Sequence, residues 1–302
     1  MRRILWFLPV LFAASVGCGD EDDGPTAAVV EPLEVRFEAR VGNEPFACGR
    51  QYASIGADGA TVTPTDFRFF VHDVRLVGQD GRETPLALDD DGLWQGRGVA
   101  LLDFEDATGG CDTGFTTPEV NTTLRGRAPR GAYAGVRLRV GVPNELNHVD
   151  PTSMPAPLNT TQLSWTWNFG YIFLAATAKV MGETPFDQGV HIGSRACAGD
   201  AQGGGEAVTC QYANLVEIEL TNVDWSRPLV VDWGAVFKGL AMKQSSDSCY
   251  DPKKETGMDG PVSCICHTSG PEDRCPVLFS SFGLDWSSGA VDPRLQSVFR
   301  SP

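Results

Sequence analysis

Gly135-Val136-Arg137-Leu138-Arg139-Val140 alternates apolar and charged side chains, and Val216-Glu217-Ile218-Glu219-Leu220 does the same. A period of two places one set of side chains on a buried face and the other in water, the mark of a half-buried strand. Leu33, Val35 and Phe37, spaced by Glu34, Arg36 and Glu38, repeat the pattern upstream. Between such runs lie many of the 34 Gly and 20 Pro residues, which supply turn geometry. The spacing predicts roughly eight to ten strands and two short helices, around 233–240 and 276–282. No βαβ rhythm or Gly-rich phosphate loop interrupts it. The expected fold is all-β: an antiparallel β-sandwich with long disulfide-tied loops, forming one domain over 33–302.

The N-terminus has its own logic. Met1-Arg2-Arg3 is basic and 4–16 is apolar. That run is shorter than the roughly 20 residues a membrane span needs, so 1–17 reads as a signal peptide. It ends Ala14-Ser15-Val16-Gly17-Cys18, close to a bacterial lipobox. Cys18 is the expected lipid attachment residue, and 18–32, opening on the acidic run 19–25, the anchor's tether. Ser15 stands where a lipobox has Leu, which leaves cleavage to a soluble periplasmic form as the second outcome. Export to the bacterial cell envelope is expected either way, with membrane contact through the lipid anchor only, outer membrane facing periplasm or surface.

The net charge is −15, and loss of Arg2 and Arg3 makes the mature chain more acidic still. Nucleic acid is excluded as a partner, because its phosphates call for Lys and Arg stripes that the chain lacks. Beyond Cys18 there remain Cys48, Cys111, Cys197, Cys210, Cys249, Cys264, Cys266 and Cys275. An even number in an exported chain reads as disulfides. Cys197 and Cys210 flank a Gly-rich turn and form the easiest pair. Cys48 with Cys111 is a second, and the remaining four pair among themselves, with Cys264 and Cys266 going to different partners. Cys264-Ile265-Cys266-His267 has one residue between the thiols, where haem attachment needs two. Hydrolase signatures are missing: there is no Gly-x-Ser-x-Gly and no His-Glu-x-x-His. Asp89-Asp90-Asp91 lacks the spacing of a Ca²⁺ loop.

The chain has four histidines, and two of them, His148 and His191, bracket Trp165-Thr166-Trp167. Imidazole is the commonest metal-binding side chain near neutral pH. A β core with surface histidines is the plainer reading of the same residues. His72 shares strand parity with Phe70, Val74 and Leu76 and should face an apolar layer. As ligands the order of preference is His191, His148, His72, then His267.

Several strings in order carry a resemblance: Phe67-Arg-Phe-Phe-Val-His72-Asp-Val-Arg-Leu76, Leu101-Leu-Asp-Phe104, Gly131-Ala-Tyr-Ala-Gly-Val-Arg137, Asn144-Glu-Leu-Asn-His148-Val-Asp-Pro151, Ser164-Trp-Thr-Trp-Asn-Phe-Gly-Tyr-Ile-Phe173, His191-Ile-Gly-Ser194 and Cys275-Pro-Val-Leu-Phe279. Over residues 33–300 the sequence resembles the MbnP-like family, whose bacterial branch is called the metallo-mystery-pair four-Cys-motif proteins. The resemblance implies an exported, non-enzymatic β protein that binds copper. It also implies a tryptophan beside the metal, Trp165 or Trp167, oxidised to kynurenine by a partner di-haem cytochrome c peroxidase-like protein. The implied metal residues are His191 and His148, with His72 as a further ligand. A few imidazoles with a carbonyl or amine from an oxidised tryptophan suit copper better than structural zinc. A reading from another class stands beside this one: a lipid-anchored carbohydrate- or protein-binding β-sandwich module without metal.

Overall fold

A computed structural model describes residues 29–112, 116–166, 168–199, 207–267 and 273–302. The leader, Cys18, most of the tether and Trp167 lie outside the described residues.

Two sheets face each other across the main core. The smaller is built on Val30–Val41, which pairs antiparallel with Thr123–Pro129 and parallel with Leu229–Asp232. The larger runs in the order Val216–Thr221, Tyr133–Val140, Ala60–Gly78, Leu174–Val180, Phe186–Ile192, Ser263–Cys266. Val136, Leu138 and Val140 are buried with Val216, Ile218 and Leu220 on the partner strand, as the alternation requires. Their outward neighbours pair by charge: Arg137 with Glu219 at 2.8 Å and Arg139 with Glu217 at 3.1 Å. The fold is thus an all-β sandwich. Its sheets are mixed rather than purely antiparallel, because Ser263–Cys266 also pairs parallel, with Phe186–Ile192.

The strands are more numerous than expected, eighteen among the described residues, since many are edges of two to four residues. The helices differ too. The 233–240 segment gives a 3₁₀ turn, Trp233–Phe237, capped by Asp232 accepting from the Ala235 amide. The second expected helix is Cys275–Ser280. Two further short helices occur, Asn144–Asn147 and Pro252–Thr256.

The long strand Ala60–Gly78 decides where the chemistry sits. Two of its register slips insert an extra residue into this strand, one against Leu174–Val180 near Asp66 and one against Tyr133–Val140 near Asp73, which has φ +48°. Each extra residue switches the side chains to the opposite face. Val62, Phe67, Phe69, Val71, Val74 and Leu76 therefore enter the main core, although their numbers change parity along the strand. Between the two slips, Arg68, Phe70 and His72 turn to the outer face. Shared parity of His72 with Val74 and Leu76 does not hold in three dimensions: the bulge at Asp73 separates them.

That outer face is covered by the 142–173 segment. Phe70, Val99 and Leu101 pack there with Leu146, Leu158, Leu163 and Tyr171 as a second, smaller core. Four disulfides, Cys48–Cys111, Cys197–Cys210, Cys249–Cys264 and Cys266–Cys275, tie loops to this frame. Each closed loop removes conformational freedom from the unfolded chain.

Candidate metal centre

One row of residues crosses the outer face in register. Asp103 lies opposite Arg68, Arg68 opposite Ala175, and Ala175 opposite His191. Beyond His191 the next strand ends at Cys266, so His267 leaves the sheet beside it. Nδ1 of His191 is 3.2 Å from Nδ1 of His267, and the rings meet edge to face with centroids 4.8 Å apart.

Two imidazoles meeting nitrogen to nitrogen can share one proton or one metal ion. Metal–nitrogen bonds of about 2.0–2.1 Å at a tetrahedral angle separate two donors by roughly 3.3 Å. The pair is therefore already spaced as a two-nitrogen donor set. Burial pushes the His191 pKa down to about 3, with the neighbouring His267 and the Arg68 charge adding to the shift. Burial also lowers the His267 pKa. Both shifts favour the neutral ring, the form a metal requires.

Trp165 completes the group. Its ring centroid is 6.3 Å from that of His267, in edge contact. It packs against Gly193, where an added Cβ would fall 2.5 Å from Cζ3 of the indole and 2.7 Å from the Tyr171 carbonyl oxygen. The tryptophan loop is closed by the Trp165 amide donating to Gly170 O at 3.0 Å. It is braced by Asn147, whose Oδ1 accepts from the Tyr171 amide at 2.8 Å. Trp167, the other candidate, is outside the described residues.

The charged end of the row is buried. Arg68 makes a two-pronged pair with Asp66, at 2.9 and 2.7 Å, and reaches Glu105 at 3.1 Å. Burial alone would lower the Arg68 pKa, but Asp66, Glu105 and Asp103 raise it. Three carboxyls share that one guanidinium. Burial pushes Asp103 up to about 7, against the pull of Arg68. It pushes Glu105 up to about 8, with the charge of Asp66 adding to the rise. Glu105 Oε2 is buried with no hydrogen-bond partner among the described residues.

The other histidines sit elsewhere. His72 is buried and its Nδ1 lies 2.8 Å from Gly141 O; burial lowers its pKa. His148 caps the Asn144–Asn147 turn, with Nε2 3.1 Å from Asn147 Nδ2 and 3.4 Å from Cys210 Sγ. It forms a compact group with Cys197 and Cys210, but those sulfurs are bonded to each other. His267, ranked last from sequence, is the residue placed on His191. The available signal was its position directly after Cys266, a residue fixed by a disulfide. The Arg68 cluster carried no sequence signal, because it joins two separate segments, 66–68 and 103–105.

The MbnP family model matches residues 30–251. No curated protein matches the chain. Among solved structures, MbnP from Methylosinus trichosporium superposes with a TM-score of 0.74 at 25% identity, over 90% of this chain and 98% of that one. The family model covers well over half of the chain and the solved structure shares its fold over most of its length: the chain belongs to the MbnP family.

Proposed function

We propose that this protein binds copper in the cell envelope through His191 and His267, beside a tryptophan that a partner di-haem peroxidase-like enzyme oxidises to kynurenine. The observation that carries the reading is the 3.2 Å approach of two imidazole nitrogens next to the Trp165 ring. Imidazole suits copper, and a pair of neutral donors suits its lower charge state. When bound, copper would supply a coordination or redox centre. The chain's own part is to hold two imidazole nitrogens side by side, where an ion would replace the proton they share, and to keep an indole alongside. Residues 18–302 act as a lipid-anchored module in this reading, with the acidic surface favouring a basic partner.

The test is metal analysis and intact mass on protein purified from its native host. Expected are about one copper per chain and a tryptophan peptide that has gained one oxygen and lost one carbon. His191→Ala and His267→Ala should each abolish binding, whereas His72→Ala should retain it. Protein without copper and with unmodified tryptophans would replace this reading with that of a ligand-binding module.

A further inference from the structure

The bridge Cys197–Cys210 differs from the other three in its surroundings. The six cysteines of the other bridges are buried, whereas Cys197 and Cys210 are both partly exposed. They lie directly opposite each other on the antiparallel pair Arg195–Ala198 and Thr209–Tyr212, with Cα atoms 3.8 Å apart. An imidazole stands at this bridge: His148 Nε2 is 3.4 Å from Cys210 Sγ, and ligand atoms of His148, Cys197 and Cys210 all lie within 4.8 Å of one another.

That nitrogen also has an amide neighbour. Asn147 Oδ1 accepts from the Tyr171 amide, so the other end of the Asn147 side chain is its NH₂. That NH₂ faces His148 Nε2 at 3.1 Å and Ser194 Oγ at 3.2 Å. A metal held between the sulfurs would take the Nε2 lone pair in place of this amide contact, a displacement that leaves the Asn147 NH₂ its partner Ser194 Oγ.

We propose that reduction of Cys197–Cys210 converts this group into a second metal site, two thiolates and the His148 imidazole, for a thiophilic ion such as Cu(I) or Zn(II). A dithiol reductant supplies the electrons. One of its thiolates attacks a bridge sulfur, the Sγ–Sγ bond breaks and the other cysteine leaves as thiolate. The reductant's second thiol then closes on the mixed disulfide and departs as a disulfide itself. Two electrons enter the bridge, and an arriving cation displaces the thiol protons. With metal–sulfur bonds of about 2.3 Å and a metal–nitrogen bond of about 2.0 Å, the donors of a tetrahedral site stand roughly 3.5–3.8 Å apart. The sulfurs need only part by that amount, and His148 is already at that range from Cys210. The base of the hairpin does not depend on the bridge alone. Arg195 stacks on Trp286 with its guanidinium carbon 3.8 Å from the ring centroid, and on Tyr212 at 4.6 Å.

The experiment begins with limited reduction of the whole protein by dithiothreitol, then alkylation and peptide mapping. Cys197 and Cys210 should label before any other cysteine. Co(II) added to the partly reduced protein should give a thiolate-to-cobalt charge-transfer band, absent from the oxidised protein. His148→Ala should weaken that binding by more than the about 10–100-fold that changes around a metal site's ligands cost. His191→Ala should leave the band unchanged, which separates this site from the imidazole pair. Circular dichroism of the reduced protein and of oxidised His148→Ala should show the native β spectrum. First labelling at another bridge, no charge-transfer band, unchanged affinity in His148→Ala, or loss of the β spectrum on reduction would each overturn the proposal.

Discussion

His191 and His267 are 76 residues apart in sequence, yet their Nδ1 atoms lie 3.2 Å apart. The parallel pairing of Phe186–Ile192 with Ser263–Cys266 brings them together, one at the end of each strand. The contact thus rests on what holds the short second strand in place. Cys264 is bonded to Cys249 and Cys266 to Cys275, so both ends of that strand are tied.

Removing the tie next to His267 should loosen the site. The double substitution Cys266→Ala, Cys275→Ala should lower stability by about 2–5 kcal/mol, measured by denaturant titration. It should also weaken copper binding. Unchanged metal affinity in a destabilised protein would show that His267 is positioned by other contacts.

Gly193 is the floor under Trp165. A methyl group there would overlap both the indole and the Tyr171 carbonyl oxygen. Gly193→Ala should displace the ring, alter tryptophan emission and weaken metal binding, with a stability loss of about 1–3 kcal/mol from overpacking. Emission identical to that of the parent protein would mean that the indole does not rest on Gly193.

Between about pH 6.5 and 8 the buried carboxyls should govern stability. Glu105 has its pKa raised to about 8 and Asp103 to about 7, above the ordinary carboxyl range. In that window the folded state holds protons that the unfolded state has already lost, so stability should fall as pH rises, by up to about 1.4 kcal/mol per unit and group. Below about 6.5 a term of opposite sign joins. The His191 pKa is lowered to about 3, so the unfolded chain takes up a proton that the folded chain refuses, and stability is lost as pH falls. Urea midpoints of metal-free protein from pH 6.5 to 8 check the first effect. Glu105→Gln should flatten that slope; a slope unaffected by the substitution would place the titrating group elsewhere.

The anchor is tested separately. Cys18→Ala should block lipid processing or release the protein from membranes. Unchanged membrane fractionation of the variant would rule out lipid attachment at Cys18.

The sequence by itself determined the class of fold and the family. Alternation of Val136, Leu138 and Val140 with arginines is a local property, since adjacent residues of a strand point to opposite faces whatever the strand pairs with. The ordered strings around Trp165 and His191 likewise needed no coordinates. The tertiary structure alone decided the site. A bulge at Asp73 turns His72 away from Val74, and no periodicity announces a single residue at positive φ. The pairing of two strands far apart in the chain selects His267 as the neighbour of His191, and the end of the Asn144–Asn147 helix brings His148 against the Cys197–Cys210 bridge of a separate hairpin. Arg68, Asp66, Asp103 and Glu105 read separately as ordinary charged residues, and become one buried cluster only because two segments pair on the sheet. Strand partners are chosen by the summed burial of a whole sheet, so which side chains end up in contact is a property of the packed molecule rather than of any one segment.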